Sequence, residues 1–298
     1  MPASKYSIII IIYNPNSTGE APAKAKRLHA RLEKKGQKSI LHATERASHA
    51  EEIAYEAAKK YQSLLIVSVS GDGGYNEVVN GIMRAQDDGV AKKPVCTIVP
   101  AGNANDHRRS VRKRPVGWAI LHTPPEAIDI LRLTATAQGR SLTRYAHSYI
   151  GFGLTSQAAA GLNRESLTRW KETKIVMRTL LNFNPVKIEH EDGRVKKYDS
   201  LVCANIHQMS KVIRLGKKTN LHSGLFRVVA LPHRNRPRML LTILSILIFG
   251  YKHPPQTAAY SFRLPYAQPA HFDGEIVKIP GRSNVTIACA PEALLTIR

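Results

Sequence analysis

The chain predicts an α/β fold: an N-terminal domain built on a parallel sheet, followed by a β-rich antiparallel second domain. Three observations lead there. Apolar runs of strand length alternate with helical periodicity through the first third of the 298 residues, the signature of βαβ units. Three of those runs, 8–13 (IIIIIY), 64–69 (LLIVSV) and 95–99 (VCTIV), end in loops rich in Gly, Asn, Ser or Asp. After about residue 130 the pattern changes to short strand-like segments with longer connections.

In order, the first part reads as a strand at 6–13, a helix near 21–35, a strand at 39–42, a helix at 47–60, a strand at 64–69, a helix at 76–85, a strand at 95–99 and a short helix near 105–112. Runs that are apolar throughout suit strands covered on both faces, as in parallel sheets. The second part reads as strands at 146–150, 185–190, 197–205, 225–231 and 257–264, with helices at 168–181 and 239–249. The expected domains are 1–130 and 131–284. No internal repeat or low-complexity tract interrupts them.

The three loops carry the chemistry. Ser70-Gly71-Asp72-Gly73-Gly74-Tyr75-Asn76 follows a strand and opens a helix. Glycines there let the backbone approach an anion, and a helix start presents N–H groups and positive dipole to it. Asp72 is placed to hold Mg²⁺ against a nucleotide phosphate. A βα turn with a solvated Asp is the plain alternative. Asn14-Pro15-Asn16-Ser17-Thr18-Gly19 ends the first strand, and Pro100-Ala101-Gly102-Asn103-Ala104-Asn105-Asp106 ends the third. In an open parallel sheet these loops share the C-terminal edge, where ligands bind.

Composition adds a second constraint. The net charge of +22 predicts attraction to polyanions: lipid headgroups, nucleotides or nucleic acid. Basic clusters fall at Arg108, Arg109, Arg112, Lys113 and Arg114; at Lys211, Arg214, Lys217 and Lys218; and at Arg234, Arg236 and Arg238. Each is a solvated face or a membrane-docking patch, where a basic residue contributes about 1 kcal/mol. No nucleic-acid module is recognisable, so no specific nucleic-acid partner is expected. Cys96, Cys203 and Cys289 form no CxxC or metal pattern, which fits a reducing cytoplasm. The N-terminal apolar run is strand-length and lacks a cleavage region, so it is not read as a signal peptide. The longest apolar run, 239–249 (MLLTILSILIF), falls short of the roughly 20 residues that span a bilayer. A core helix packed on a sheet is the expectation there, with an interfacial helix as the alternative.

The ordered motifs resemble the diacylglycerol kinase catalytic-domain family, which includes bacterial lipid kinases and sphingosine kinases. The first loop is similar to the family's Asn-Pro-x-Ser-Gly. The second is similar to Gly-Gly-Asp-Gly-Thr-x-Asn-Glu-Val-Val-Asn-Gly, and the third to Pro-x-Gly-Thr-x-Asn-Asp. Asp273-Gly274-Glu275 matches its Asp-Gly-Glu. Thr44 with His49-Ala50, Asp129 after Ile128, and Gly151-Phe152-Gly153 fall in family order. The chain departs at Ser70 (usually Gly), Gly74 (commonly Thr), Asn103 (Thr) and Ser223, where an Asp is associated with a structural Mg²⁺ in some members.

The resemblance implies an NAD kinase/diacylglycerol kinase-like fold, with the last strand, 285–290, returning 285–298 to the first domain and the active site in the cleft between domains. It implies an ATP-dependent kinase acting on a hydroxyl of a membrane lipid such as diacylglycerol, with Mg²⁺, in the cytoplasm and peripherally associated with an anionic membrane surface. Whether it works as a monomer or homodimer is left open. The nucleotide set is Asn14, Pro15, Asn16, Ser17, Thr18, Thr44, Ser70, Gly71, Asp72, Gly73, Gly74, Tyr75, Asn76, Gly102 and Asn103. The metal set is Asp72, Asp106 and Asp129. Asn76 has an alternative as a helix N-cap, Asp106 likewise, and Asp129 as a junction residue. The catalytic set is Glu275 as base, Asp273 orienting it or sharing its proton, and Asp72. For the first two, a β-turn with two solvated acids is the alternative. Two other functions compete: an NAD kinase-like enzyme, and a catalytically weakened nucleotide- or anion-binding regulator.

Overall fold

The computed structural model describes residues 6–17, 19–111, 114–157, 183–210, 213–216 and 220–298. The expected helix at 168–181, and with it Thr18, Arg112, Lys113, Lys211, Lys217 and Lys218, lies outside the described residues. The chain divides into two compact units, Met1–Ile130 with Pro291–Arg298, and Leu131–Ala290.

The first unit runs β1 (Ile8–Tyr13), α1 (Ala21–Glu33), β2 (Ser39–Ala43), α2 (His49–Lys60), β3 (Leu64–Ser70), α3 (Asp72–Asp87), β4 (Val95–Pro100), α4 (Asp106–Val111) and α5 (Val116–His122). Its strands pair in parallel in the order β2-β1-β3-β4. Every residue of β3 is buried, as its unbroken apolar run requires. On one face Ile9, Ile11, Leu65 and Val67 pack with Leu28 and Leu32 of α1 and Ala119 and Ile120 of α5. Helices α2 and α3 pack together at Gly81, where an added Cβ would stand under 3.0 Å from Glu51 O and 2.9 Å from Ala54 Cβ. From β1 the chain steps to β2 on one side and then to β3 on the other. The C-terminal ends of β1 and β3 therefore flank a topological switch point.

The second unit contains most of β5 (Glu126–Ala137), then β6 (Arg140–Ala146), β7 (Tyr149–Gly153), β8 (Val186–Glu189), β9 (Val195–Ala204), β10 (Gln208–Met209), β11 (Ile213–Arg214), β12 (Phe226–Pro232), α6 (Arg236–Phe249), β13 (Gln256–Thr257), β14 (Ala259–Leu264), β15 (Gln268–Phe272), β16 (Glu275–Ile279) and the first part of β17 (Ser283–Thr296). Strand β9 pairs antiparallel with β7, β8 and β12, and β15 joins β7 to β16. The core is apolar and continuous, with Leu133, Ile150, Phe152, Leu201, Phe226 and Phe272 among its buried members. The end of β17 belongs to the first unit, where Leu295 and Thr296 pair in parallel with Val95 and Cys96.

Two expectations are corrected. Helix α3 starts at Asp72, not at 76, so Asn76 sits in its second turn and is no N-cap. Helix α6 is not a core helix: Met239 is its one buried residue. Its apolar side chains point in all directions, so no single sheet face could cover them.

The Gly81 contact is testable. Gly81→Ala, although it raises helix propensity, should lower unfolding free energy by about 1–3 kcal/mol in urea titration, because backbone must move to admit the methyl group. An unchanged midpoint would refute the close approach.

Candidate functional site

Three loops meet at the C-terminal edge of the first unit's sheet. The Ser17 hydroxyl donates to Ala101 O, and Gly19 N donates to the same oxygen at 2.9 Å. Ala101 N donates to Ser70 O at 2.8 Å, linking the third loop to the second. A Cβ on Gly102 would stand under 3.0 Å from Gly71 Cα, so these two backbones touch and residue 102 must stay glycine. Asn105, at φ 51, closes the third loop by accepting from Gly102 N at 3.0 Å and donating to Gly102 O at 2.6 Å. Lys24 of α1, not singled out from sequence, donates from Nζ to Pro100 O at 2.9 Å, so a cation borders the assembly. Its only sequence signal was a Lys one turn into the helix after the first loop.

The two acids of the second motif hold neighbouring elements. Asp72 is 9% exposed; its Oδ2 accepts Asp106 N at 2.8 Å and its Oδ1 accepts His107 N at 3.1 Å. One carboxylate thus caps α4 while lying in the first turn of α3, favourable at both helix starts. Glu77 Oε1 accepts Ser48 N at 2.9 Å and its Oε2 accepts Ala50 N at 3.1 Å, capping α2, whose own Ser48 makes no side-chain cap. No local signal marks Glu77, because its partners lie in an element remote along the chain. With Asp72 turned to α4, the start of α3 presents the N–H groups of Gly73 and Gly74, which have no acceptor within the helix.

The remaining expected nucleotide residues divide by exposure. Asn14, Pro15, Asn16 and Asn103 are exposed on their loops, and Asn14 Oδ1 accepts Asn16 N at 2.8 Å in an Asx turn. Thr44 donates its backbone N–H to Tyr13 O at 2.9 Å. Tyr75, by contrast, is fully buried: its hydroxyl lies 3.2 Å from Cys96 Sγ and 3.4 Å from Thr296 Oγ1, and burial raises its pKa well above the usual phenol value. Tyr75 therefore fastens α3 to the sheet. Asn76 is buried too, its Oδ1 accepting Asn80 Nδ2 at 3.0 Å.

Ser70 is buried, with its Oγ 2.7 Å from Ser68 Oγ and 2.9 Å from Gly71 O. A Cβ on Gly74 would stand 2.8 Å from both Ser70 Cβ and Ser70 Oγ. The two departures from the motif are therefore one change: the strand-end hydroxyl occupies the space that a side chain at 74 would need. At the other departure, Ser223 Oγ donates to Asn220 O at 3.1 Å and accepts Leu225 N at 3.3 Å, so the loop is closed by a neutral hydroxyl.

The three-carboxylate metal site does not assemble. Among the described residues no group of three or more His, Cys, Asp or Glu is placed to hold a metal ion. Asp72 is turned to α4. Asp129 Oδ1 accepts Glu292 N at 3.0 Å, fixing β5 to the chain's return, and Asp106 lies 3.9 Å from Arg109. Asp72 and Asp129 thus accept from backbone in separate elements, while Asp106 faces Arg109 in its own helix. The residues thus do not fit a shared Mg²⁺ seat.

In the second unit, Asp273-Gly274 forms a two-residue hairpin turn between β15 and β16, both residues at positive φ (51 and 114) as a type I′ turn requires. The solvated-turn alternative fails for Asp273. It is 0% exposed, and its carboxylate accepts His147 N at 2.6 Å, Ser148 N at 3.1 Å and Tyr149 N at 2.8 Å, with His147 Nε2 3.4 Å away. Asp273 locks the turn onto the β6–β7 corner, and Glu275, half-buried, is the first residue after it. Two residues before the turn, His271 is buried with Nδ1 lacking a hydrogen-bond partner, and burial lowers its pKa to about 4.

Residues 8–141 match the model of the diacylglycerol kinase catalytic domain. A diacylglycerol kinase of Bacillus subtilis (strain 168) is 35% identical over 102 residues, 34% of this chain and 32% of that protein. The chain spans about a third of the length of the curated relatives it matches. A crystal structure of a diacylglycerol kinase from Bacillus anthracis str. Sterne superposes with TM-score 0.67 at 16% identity, covering 99% of this chain and 97% of that one. Yeast NADH kinase complexed with NADH superposes with TM-score 0.50 at 11% identity, covering 99% and 86%. At these identities the two structures share the fold.

Two outcomes follow. Gly74→Thr alone should lower stability by about 1–3 kcal/mol in urea titration, and adding Ser70→Gly should restore most of it; additive losses would show that the sites are not coupled. His271 stays neutral when folded down to about pH 4 but protonates near 6.5 when unfolded. Its contribution is therefore complete above pH 6.5 and shrinks as pH falls towards 4. His271→Phe should gain about 3 kcal/mol relative to the parent across that interval, read from urea midpoints at each pH; parallel pH profiles would rule this out.

Proposed function

We propose that this chain, whose residues 8–141 match the model of the diacylglycerol kinase catalytic domain, transfers the γ-phosphoryl group of ATP to a hydroxyl of a membrane lipid such as diacylglycerol. The observation that carries the reading is the convergence of three glycine-bearing loops at the switch point of a parallel sheet, tied by Ala101, Gly71–Gly102 and the Asp72 cap. Phosphoryl transfer asks chiefly for positioning and charge neutralisation. The N–H groups of Gly73 and Gly74, the α3 dipole and Lys24 supply donors and positive potential for a polyphosphate. Asn14, Asn16 and Asn103 offer exposed amides beside them.

The acceptor hydroxyl is a weak acid, so its proton must leave as its oxygen bonds to the γ-phosphorus and the bond to the ADP oxygen breaks. Glu275 takes that proton. Asp273, saturated by three backbone N–H groups, positions the hairpin that presents Glu275 and does not share the proton. Magnesium, which accompanies ATP in such transfers, has no carboxylate cluster to receive it among the described residues.

The test is transfer from labelled ATP to mixed micelles holding diacylglycerol, monoacylglycerol, ceramide, sphingosine, phosphatidylglycerol or undecaprenol, with NAD in a separate tube. Label should enter one lipid, and Glu275→Gln should reduce turnover by about a hundredfold or more while leaving ATP binding by calorimetry unchanged. Label entering NAD alone would replace the reading with the NAD kinase-like one. Nucleotide binding without transfer to any acceptor would leave the regulator.

A further inference from the structure

Helix α6 exposes more apolar surface than a helix in water can justify. Leu241 is 66% exposed, Leu244 52%, Ile248 64% and Phe249 68%. Large contiguous apolar patches of this kind mark an interaction surface.

The charges around the helix identify the partner. No acid lies in its first turn, while Arg236 and Arg238 do, with Arg234 just before them and Lys252 just after the last turn. Cations at a helix N-terminus oppose the helix dipole. That arrangement becomes favourable when anions settle over the same end. A groove of about 670 Å³ runs along the helix flank, with Leu241, Ile246 and Phe249 on its walls and Arg234, Arg238 and Lys252 among its lining. An apolar body with cationic ends matches acyl chains beneath anionic phosphates.

A second copy of the chain would bring together two proteins each carrying +22, which charge repulsion disfavours. At 14 residues the helix is about 21 Å long, too short for the ~30 Å hydrocarbon core. No helix among the described residues is long and apolar enough to cross a membrane.

We propose that α6 is a monotopic docking element that seats the protein in the interface of an anionic bilayer. Leu241, Leu244, Ile248 and Phe249 enter the acyl region, and Arg234, Arg236, Arg238 and Lys252 lie on lipid phosphates. The inference rests on the lipid-kinase reading for its purpose, but its test needs no turnover.

The full chain is sedimented without ATP on vesicles of phosphatidylcholine alone or mixed with phosphatidylglycerol. Binding should favour the anionic vesicles and weaken with salt. Leu241→Ser/Leu244→Ser/Phe249→Ser should weaken partitioning by at least about tenfold, and Arg236→Glu/Arg238→Glu should remove the preference for phosphatidylglycerol. In Phe249→Trp, indole emission should shift to the blue on anionic vesicles and be quenched by brominated acyl chains, a readout that does not depend on the triple variant folding. The proposal is overturned if the parent chain ignores vesicles, if the folded triple variant binds as the parent does, or if that variant converts a dimer to a monomer without changing vesicle binding. Glu275→Gln should bind vesicles like the parent. Vesicle binding through α6 without lipid phosphorylation would sink the kinase reading alone, and phosphorylation of micellar lipid by a chain that ignores anionic vesicles would sink this one alone.

Discussion

The candidate site depends on one interaction: the Asp72 carboxylate receiving the N–H groups of Asp106 and His107. A carboxylate at 9% exposure is costly unless its oxygens find donors. Here the donors are the otherwise unsatisfied start of α4, so one contact resolves two liabilities. Because Asp72 also opens α3, the contact ties the second loop to the third, and Ala101 ties the third to the first. Glu77 extends the arrangement to α2. The acids of the motif thus build the edge on which an anion would rest, and the amides and glycines are left to meet it.

The second unit uses the same device. Asp273, with no exposure, gathers three consecutive N–H groups from 147–149. Its left-handed backbone and that of Gly274 make the hairpin turn. A buried anion satisfied so fully is a clamp, and the residue that follows it across the turn, Glu275, keeps partial access to solvent. In both units the acid most conspicuous in the motif proves to organise backbone.

The departures from the motif pattern lose much of their force as signs of decay. Ser70 and Gly74 exchange volume across one contact. Ser223 closes its loop with neutral hydrogen bonds in place of a charge that would call for a cation. Neither alteration occupies the contact between Gly71 and Gly102, where a Cβ on Gly102 would stand under 3.0 Å from Gly71 Cα.

From the sequence alone came the α/β order of the first part, the β-rich character of the second and the three strand-end loops, because apolar period and glycine punctuation are local properties. Bounds missed most where a long-range partner sets them. Helix α3 begins at Asp72, whose carboxylate is held by α4, an element that no window around residue 72 contains. Tyr75 and Asn76 read as ligands beside the glycines, yet helical period turns them inward to Cys96 and Asn80. The run at 239–249 declared itself a helix by composition, but whether it lay in the core or on the surface depended on whether a sheet face remained to cover it. Residue types and their spacing determined which chemistry was available; only the tertiary structure decided which donors each carboxylate met, because hydrogen bonds between distant segments exist only after the chain has brought them together.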